Sequence, residues 1–158
     1  MPKLPTLSEV LAASGASRDD FNNWYRRKFL GSHVPETTPG VARTMTRSVA
    51  LQIAFMAALT DVGFDTEDAS MRARTFAEFV GARNPKQWFI FDPVTGNELL
   101  FGDKGAESSI ASLLEMFAEG EGELVDSPDA TEQIIPTTRL RIVHIGGIVS
   151  RIDRLFGK

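Results

Sequence analysis

Apolar positions fall along the chain in three arrangements: a continuous run, helical stripes and short β-prone runs. Residues 49–59 are apolar apart from Gln52. A helix over 46–63 is therefore hydrophobic on nearly every side and must lie in the core. The run lacks the period of two of a half-buried strand, is rich in Ala, Leu and Met, and is longer than a typical strand. Thr46 is its expected N-cap, and Gly63 the left-handed residue that closes it. About 11 apolar residues reach only ~16 Å at 1.5 Å per residue, against a hydrocarbon core of ~30 Å, so the run is too short to span a membrane.

Stripes at helical spacing flank it. Thr6 followed by Glu9, with Leu7, Val10 and Leu11 on one side, reads as a capping box opening a short helix that ends near Gly15. A second helix follows at once, with Ser17 as N-cap, Asp19 and Asp20 in its first turn and Arg26, Arg27 and Lys28 at its far end, each charge suited to the helix dipole. Phe21, Trp24 and Tyr25 recur at i, i+3, i+4 and turn inward, which leaves Arg18, Asn22, Asn23, Arg26 and Arg27 outward. The pair forms a helix-turn-helix pattern, which is equally what two helices of any small α protein with a solvated charged face would give. Residues 29–45 hold prolines, glycines and hydroxyl residues and read as a loop, in which Val34 and residues 41–45 are the arms of a small hairpin or wing carrying Arg43. Beyond Gly63, Asp65 or Thr66 caps a further helix running to about Gly81, striped by Ala69, Arg72, Ala73, Phe76, Ala77 and Val80.

Residues 81–86 then punctuate the chain, and the pattern turns β-prone. QWFIF (87–91) and ELLF (98–101) flank a turn-rich DPVTGN and predict a hairpin. An amphipathic helix over 106–119 and an acidic connector over 120–132 come next. Residues 138–145 alternate like a strand that closes onto the hairpin, Gly146 and Gly147 break it, and Ile148, Ile152 and Leu155 begin a last helix with Arg151 and Arg154 outside. The Gly-Gly pair lacks both the lysine-serine of a P-loop and the spaced glycines of a dinucleotide fingerprint. The expected fold is α+β and mainly α, divided into residues 1–82 and a smaller α+β portion, 83–158.

Composition changes this picture little, and charge changes it more. With 42% hydrophobic and 24% charged residues among 158, the chain is an ordinary globular one that needs no external staple. The absence of cysteine excludes disulfides, thiolate metal sites and thiol nucleophiles, so a cytoplasmic setting is expected, as it is from a start without a signal-like apolar run. The net charge of −4 is unevenly spread: residues 1–48 carry seven Lys or Arg against four acids, residues 87–134 one against eleven, and residues 135–158 five against one. A polyanion should therefore meet the N-terminal part and avoid the acidic middle. His33 stands alone, with no second ligand at metal-binding spacing.

Taken together, Gly15 at the turn, Trp24 and Arg26 on the second helix, Arg43 and Thr46 at the wing, the hydrophobic run 51–59 and Gly63 with Phe64 at its end resemble a MerR-type winged helix-turn-helix domain. The resemblance covers the first half of the chain. It implies a DNA-binding transcriptional regulator of bacterial type, with Arg18, Asn22, Asn23, Arg26, Arg27 and Lys28 from the second helix at double-stranded DNA and Arg43 and Arg47 clamping the backbone. Asn reads adenine and Arg guanine through paired hydrogen bonds, so the residue types suit base readout. The chain departs from the family pattern at Met45, where a wing tyrosine is usual, at Lys28 and Phe29, where a glycine is usual, and at Asn22 and Asn23, where a basic pair is common. The family's long dimerisation helix has no counterpart, so a homodimer would use another surface. A protein-interaction module that keeps the scaffold without the DNA surface is the alternative. Catalysis is not expected, since HExxH, GxSxG, P-loop and cysteine are all absent, and no cofactor or membrane partner is implied.

Overall fold

Four helices built on local capping chemistry make up the first half of the protein in the computed structural model, which describes residues 4–31, 34–36, 38–80, 88–93, 96, 98–101 and 141–157. Helix α1 (Leu7–Ser14) opens with the expected capping box: the Thr6 hydroxyl accepts from Glu9 N–H, and the Glu9 carboxylate accepts from Thr6 N–H at 2.7 Å. It closes on Gly15, at φ 78°. Helix α2 (Arg18–Arg26) repeats the device with Ser17 and Asp20. Helix α3 (Arg47–Asp61) has Thr46 as N-cap, its hydroxyl accepting from Val49 N–H. Helix α4 (Thr66–Phe79) is capped by Asp65, whose carboxylate accepts from Glu67 and Asp68 N–H at 2.9 and 3.0 Å. Those backbone hydrogen bonds, that from Asp68 foremost, hold the Asp65 carboxyl below its ordinary pKa.

Helix α3 is the centre, as its sequence requires. Val49, Ile53, Phe55, Met56 and Leu59 are all buried, and the helix packs on α4 and α1 and on the last helix of the chain. Phe55 meets Phe76 of α4 edge to face, ring centres 5.6 Å apart. At its C-terminus the N–H groups of Gly63 and Phe64 reach back to the carbonyls of Thr60 and Leu59, a Schellman closure that uses the left-handed Gly63. Helix α2 closes in the same way, Lys28 N–H to Tyr25 carbonyl and Phe29 N–H to Trp24 carbonyl, but its left-handed residue is Lys28, at φ 61°. Ser70 of α4 then donates to the Phe29 carbonyl at 2.7 Å and fastens that end of α2 to the core.

The β-prone runs form one antiparallel sheet of order β2-β1-β3 from β1 (Trp88–Phe91), β2 (Glu98–Phe101) and β3 (Arg141–His144). The third strand closes onto the hairpin as expected. It ends one residue early, however, and the expected break at Gly146 and Gly147 is absent, because helix α5 (Ile145–Leu155) begins directly after His144 and contains both glycines. Within that helix, position 147 has room only for glycine. The His144 ring stacks on Trp88 at 4.0 Å and folds over the first turn of α5, where a Cβ at Gly147 would sit 2.8 Å from His144 Nδ1. Ile145, Ile148 and Ile152 are buried, with Arg151 and Arg154 exposed.

Phe89, Val143 and the three isoleucines of α5 share one buried cluster with α1 to α4. Two ion pairs bind the same parts together: Arg72 of α4 with Glu98 of β2, and Arg47 of α3 with Asp153 of α5. The architecture is thus mixed α and β, mainly helical, and no helix among the described residues is long and apolar enough to cross a membrane. The expected boundary at 81–86, the helix over 106–119, the connector over 120–132 and His33 lie outside the described residues.

Candidate functional site

Because Phe21 and Trp24 alone are buried on α2, the remainder of that helix forms a solvent-facing surface. Arg18, Asn22, Asn23, Arg26 and Arg27 are exposed on it, as their spacing predicts, and Lys28 just beyond its end is exposed too. Asp19 stands beside them at the helix start, while Asp20 is turned back onto Ser17 by the capping box. Two of the arginines rest on their surroundings: Arg26 donates through Nε to the Asn22 carbonyl at 3.3 Å, and the Arg27 guanidinium lies 4.7 Å above the Phe29 ring.

The expected wing is built differently. Among the described residues, the arm 41–45 does not pair with Val34, which is buried on its own account. It pairs with the segment before α1: Leu7 N–H donates to the Arg43 carbonyl at 2.7 Å and Met45 N–H to the Pro5 carbonyl at 2.9 Å, around a bridge between Thr6 and Thr44. Pro5 takes part through its carbonyl alone, so its missing N–H costs this pairing nothing. Residues 38–41 make a tight turn with Gly40 at φ 75°. Met45 is fully buried.

This bridge brings Arg43 beside α2. Its guanidinium carbon lies 4.6 Å from the centre of the Tyr25 ring and 5.6 Å from that of Phe21, the two rings being parallel within 12°. A groove of about 490 Å³ runs between α2 and the strand-like segment, lined by Arg18, Asn22, Tyr25, Val41 and Arg43 among others. Tyr25 also walls a second cleft of about 550 Å³ with Arg26, Lys28 and Glu36. Its inward spacing hid this role, since a half-buried tyrosine presents one ring face to the surface; the i, i+4 pair with Phe21 was the available signal.

Arg47 is the candidate that stands apart. Its guanidinium makes a two-pronged contact with Asp153, Nε at 2.5 Å and a terminal nitrogen at 3.0 Å, and this hydrogen-bonded carboxylate raises its pKa further above the usual arginine value. The partner lies 106 residues away in sequence, beyond the reach of any local pattern. The structure thus brings Arg18, Asn22 and Arg43 to one groove and Arg26 and Lys28 to the next, and ties Arg47 to α5. Among the described residues, no group of three or more His, Asp or Glu could hold a metal ion.

At the level of sequence, no family model and no curated protein matches the chain, so the geometry carries the functional argument.

Proposed function

We propose that the protein is a DNA-binding transcriptional regulator of MerR-like type, a winged helix-turn-helix in which α2 enters the major groove and the segment around Arg43 lies on the phosphate backbone. The observation that carries this reading is the juxtaposition of an exposed Arg/Asn face on α2 with Arg43, across one groove. A helix inserted in a major groove needs side chains that pair with base edges along its outer face and cations at its margins for phosphates. Asn22 and Asn23 supply the former, Lys28 and Arg43 the latter, and Arg18, Arg26 and Arg27 carry both the charge and the planar fork that serve either. The buried Phe21 and Trp24 hold this face away from the core.

A second reading, a protein-interaction module on the same scaffold, draws support from Arg47. A backbone clamp already occupied by a carboxylate has less to offer a phosphate. Retention on a mixed-sequence DNA duplex separates the two: a DNA binder is retained at low salt and released steeply as salt rises, whereas an interaction module is not retained at all.

A further inference from the structure

Arg47 and Asp153 hold each other between α3 and α5, and each stands at the wrong end of its own helix. Arg47 is the first residue of α3, where the positive end of the helix dipole disfavours a cation, and Asp153 lies in the last turn of α5, where the negative end disfavours a carboxylate. Elsewhere the charges follow the dipole: Glu9, Asp19, Asp20, Glu67 and Asp68 occupy the first turns of α1, α2 and α4, and Arg26 and Arg154 the last turns of α2 and α5. Arg47 therefore depends on an anion beside it. It donates from Nε to Asp153 Oδ1 at 2.5 Å and from a terminal nitrogen to Oδ2 at 3.0 Å, so one carboxylate fills one edge of the guanidinium.

The same edge suits a phosphodiester, which carries the same single negative charge and also presents two oxygens to the guanidinium fork. Arg47 comes directly after the strand-like segment that bears Arg43, and its backbone is fixed there by the Met45 N–H on the Pro5 carbonyl and by the Thr46 cap. The two side chains stay 30% and 22% exposed, so one anion can replace the other without opening the core. We infer that Asp153 sets the affinity for DNA: its carboxylate occupies the edge of Arg47 that takes a backbone phosphate, and the duplex displaces it to gain that contact. This rests on the DNA-binding reading and gives α5 a part in it. Arg47 contributes only the difference between its phosphate and carboxylate contacts, so the C-terminal helix restrains the hold of the N-terminal half on the duplex.

The test measures binding of the full chain to a fluorescently labelled mixed-sequence DNA duplex at low salt, with melting temperature as the control for folding. Asp153→Asn keeps the shape of the side chain and removes its charge, and should bind about two- to fivefold more tightly than the parent, the factor that corresponds to an exposed ion pair. A tie with a structural role alone would give no gain. In an Arg47→Gln background the same substitution should gain no more than the removal of any one acid does, as measured with Asp61→Asn at the exposed far end of α3. Replacing chloride by inorganic phosphate at constant ionic strength distinguishes the two sources of the anion. The gain from Asp153→Asn persists if the released edge takes the duplex backbone; its selective loss would assign that edge to free phosphate and overturn the inference. A binding parent whose affinity Asp153→Asn leaves unchanged, or an equal gain in the parent and Arg47→Gln backgrounds, overturns the restraint and leaves the DNA-binding reading standing. If neither the parent nor Asp153→Asn binds at low salt, the DNA-binding reading falls and the restraint with it.

Discussion

Helices α2 and α3 divide the work of the N-terminal half in opposite ways. Helix α3 buries eight of its fifteen residues, on more than one side, whereas α2 buries only Phe21 and Trp24, half-buries Tyr25 and gives the rest of its length to solvent. The first helix is held by what surrounds it and the second by its two ends: a capping box at Ser17 and a Schellman closure at Lys28 and Phe29. Such a pair concentrates stability in one helix and leaves the outer face of the other to solvent. Side chains on the outer face of α2 are free to vary with little effect on folding, and those of α3 are not.

Substitutions can break or sharpen that contrast. The largest effect is expected at Phe55, fully buried and edge-on to Phe76: Phe55→Ala should lower unfolding free energy by ~3–5 kcal/mol, measured by urea denaturation. A loss below about 1 kcal/mol would mean that α3 is not the centre of the core. Removing the partly exposed pair between α3 and α5 through Asp153→Ala should cost about 1 kcal/mol or less, and a larger loss would place more of the stability in the C-terminal helix than its exposure suggests. Lys28→Gly should have the opposite sign, raising stability by about 0.5–1 kcal/mol, because glycine adopts the left-handed conformation without the Cβ penalty that lysine bears there. Destabilisation by that change would show that the closure of α2 is unstrained.

The smallest effect depends on pH. The Asp65 carboxyl has a lowered pKa in the folded protein, so its contribution is fully present above the unfolded-state value of about 3.9 and is lost as pH falls through the lower folded value. The melting temperatures of the parent and Asp65→Asn should differ by a constant amount at neutral pH and converge as pH falls through the lower folded value. A difference that persists unchanged in strong acid would remove the charged cap from the account.

What could be read in the sequence was what is decided locally. Thr6, Ser17 and Thr46 cap where their side chains precede the apolar stripe by fixed offsets, Asp65 proves to be the cap at the one start where Thr66 was equally open, and Gly15 and Gly63 close helices as left-handed glycines must. The misses all involve partners distant in the chain. The strand-like arm 41–45 pairs with residues before α1 rather than with its nearer neighbour Val34. Gly147 reads as a strand breaker until the His144 ring is seen to cover it under Trp88. Arg47 reads as a free cation until Asp153 is placed beside it. Lys28 lies between these cases, since a basic residue where the resembled family carries glycine already marked the position that turns out to be left-handed. On α2 the outward residues were legible from spacing alone, but the support of Arg43 by Tyr25 required the fold.

The central claim is that the outer face of α2 meets the phosphate backbone and bases of duplex DNA. Its most direct test is the salt dependence of binding to a labelled duplex, compared between the parent and an Arg26→Ala, Arg27→Ala double variant whose melting temperature matches the parent's. The parent should bind at low salt, with affinity falling linearly on a double-logarithmic plot. The double variant should bind more weakly, with a slope smaller by about one unit for each phosphate contact removed. A parent that stays unbound at low salt, or a double variant whose affinity and slope equal the parent's, would contradict it.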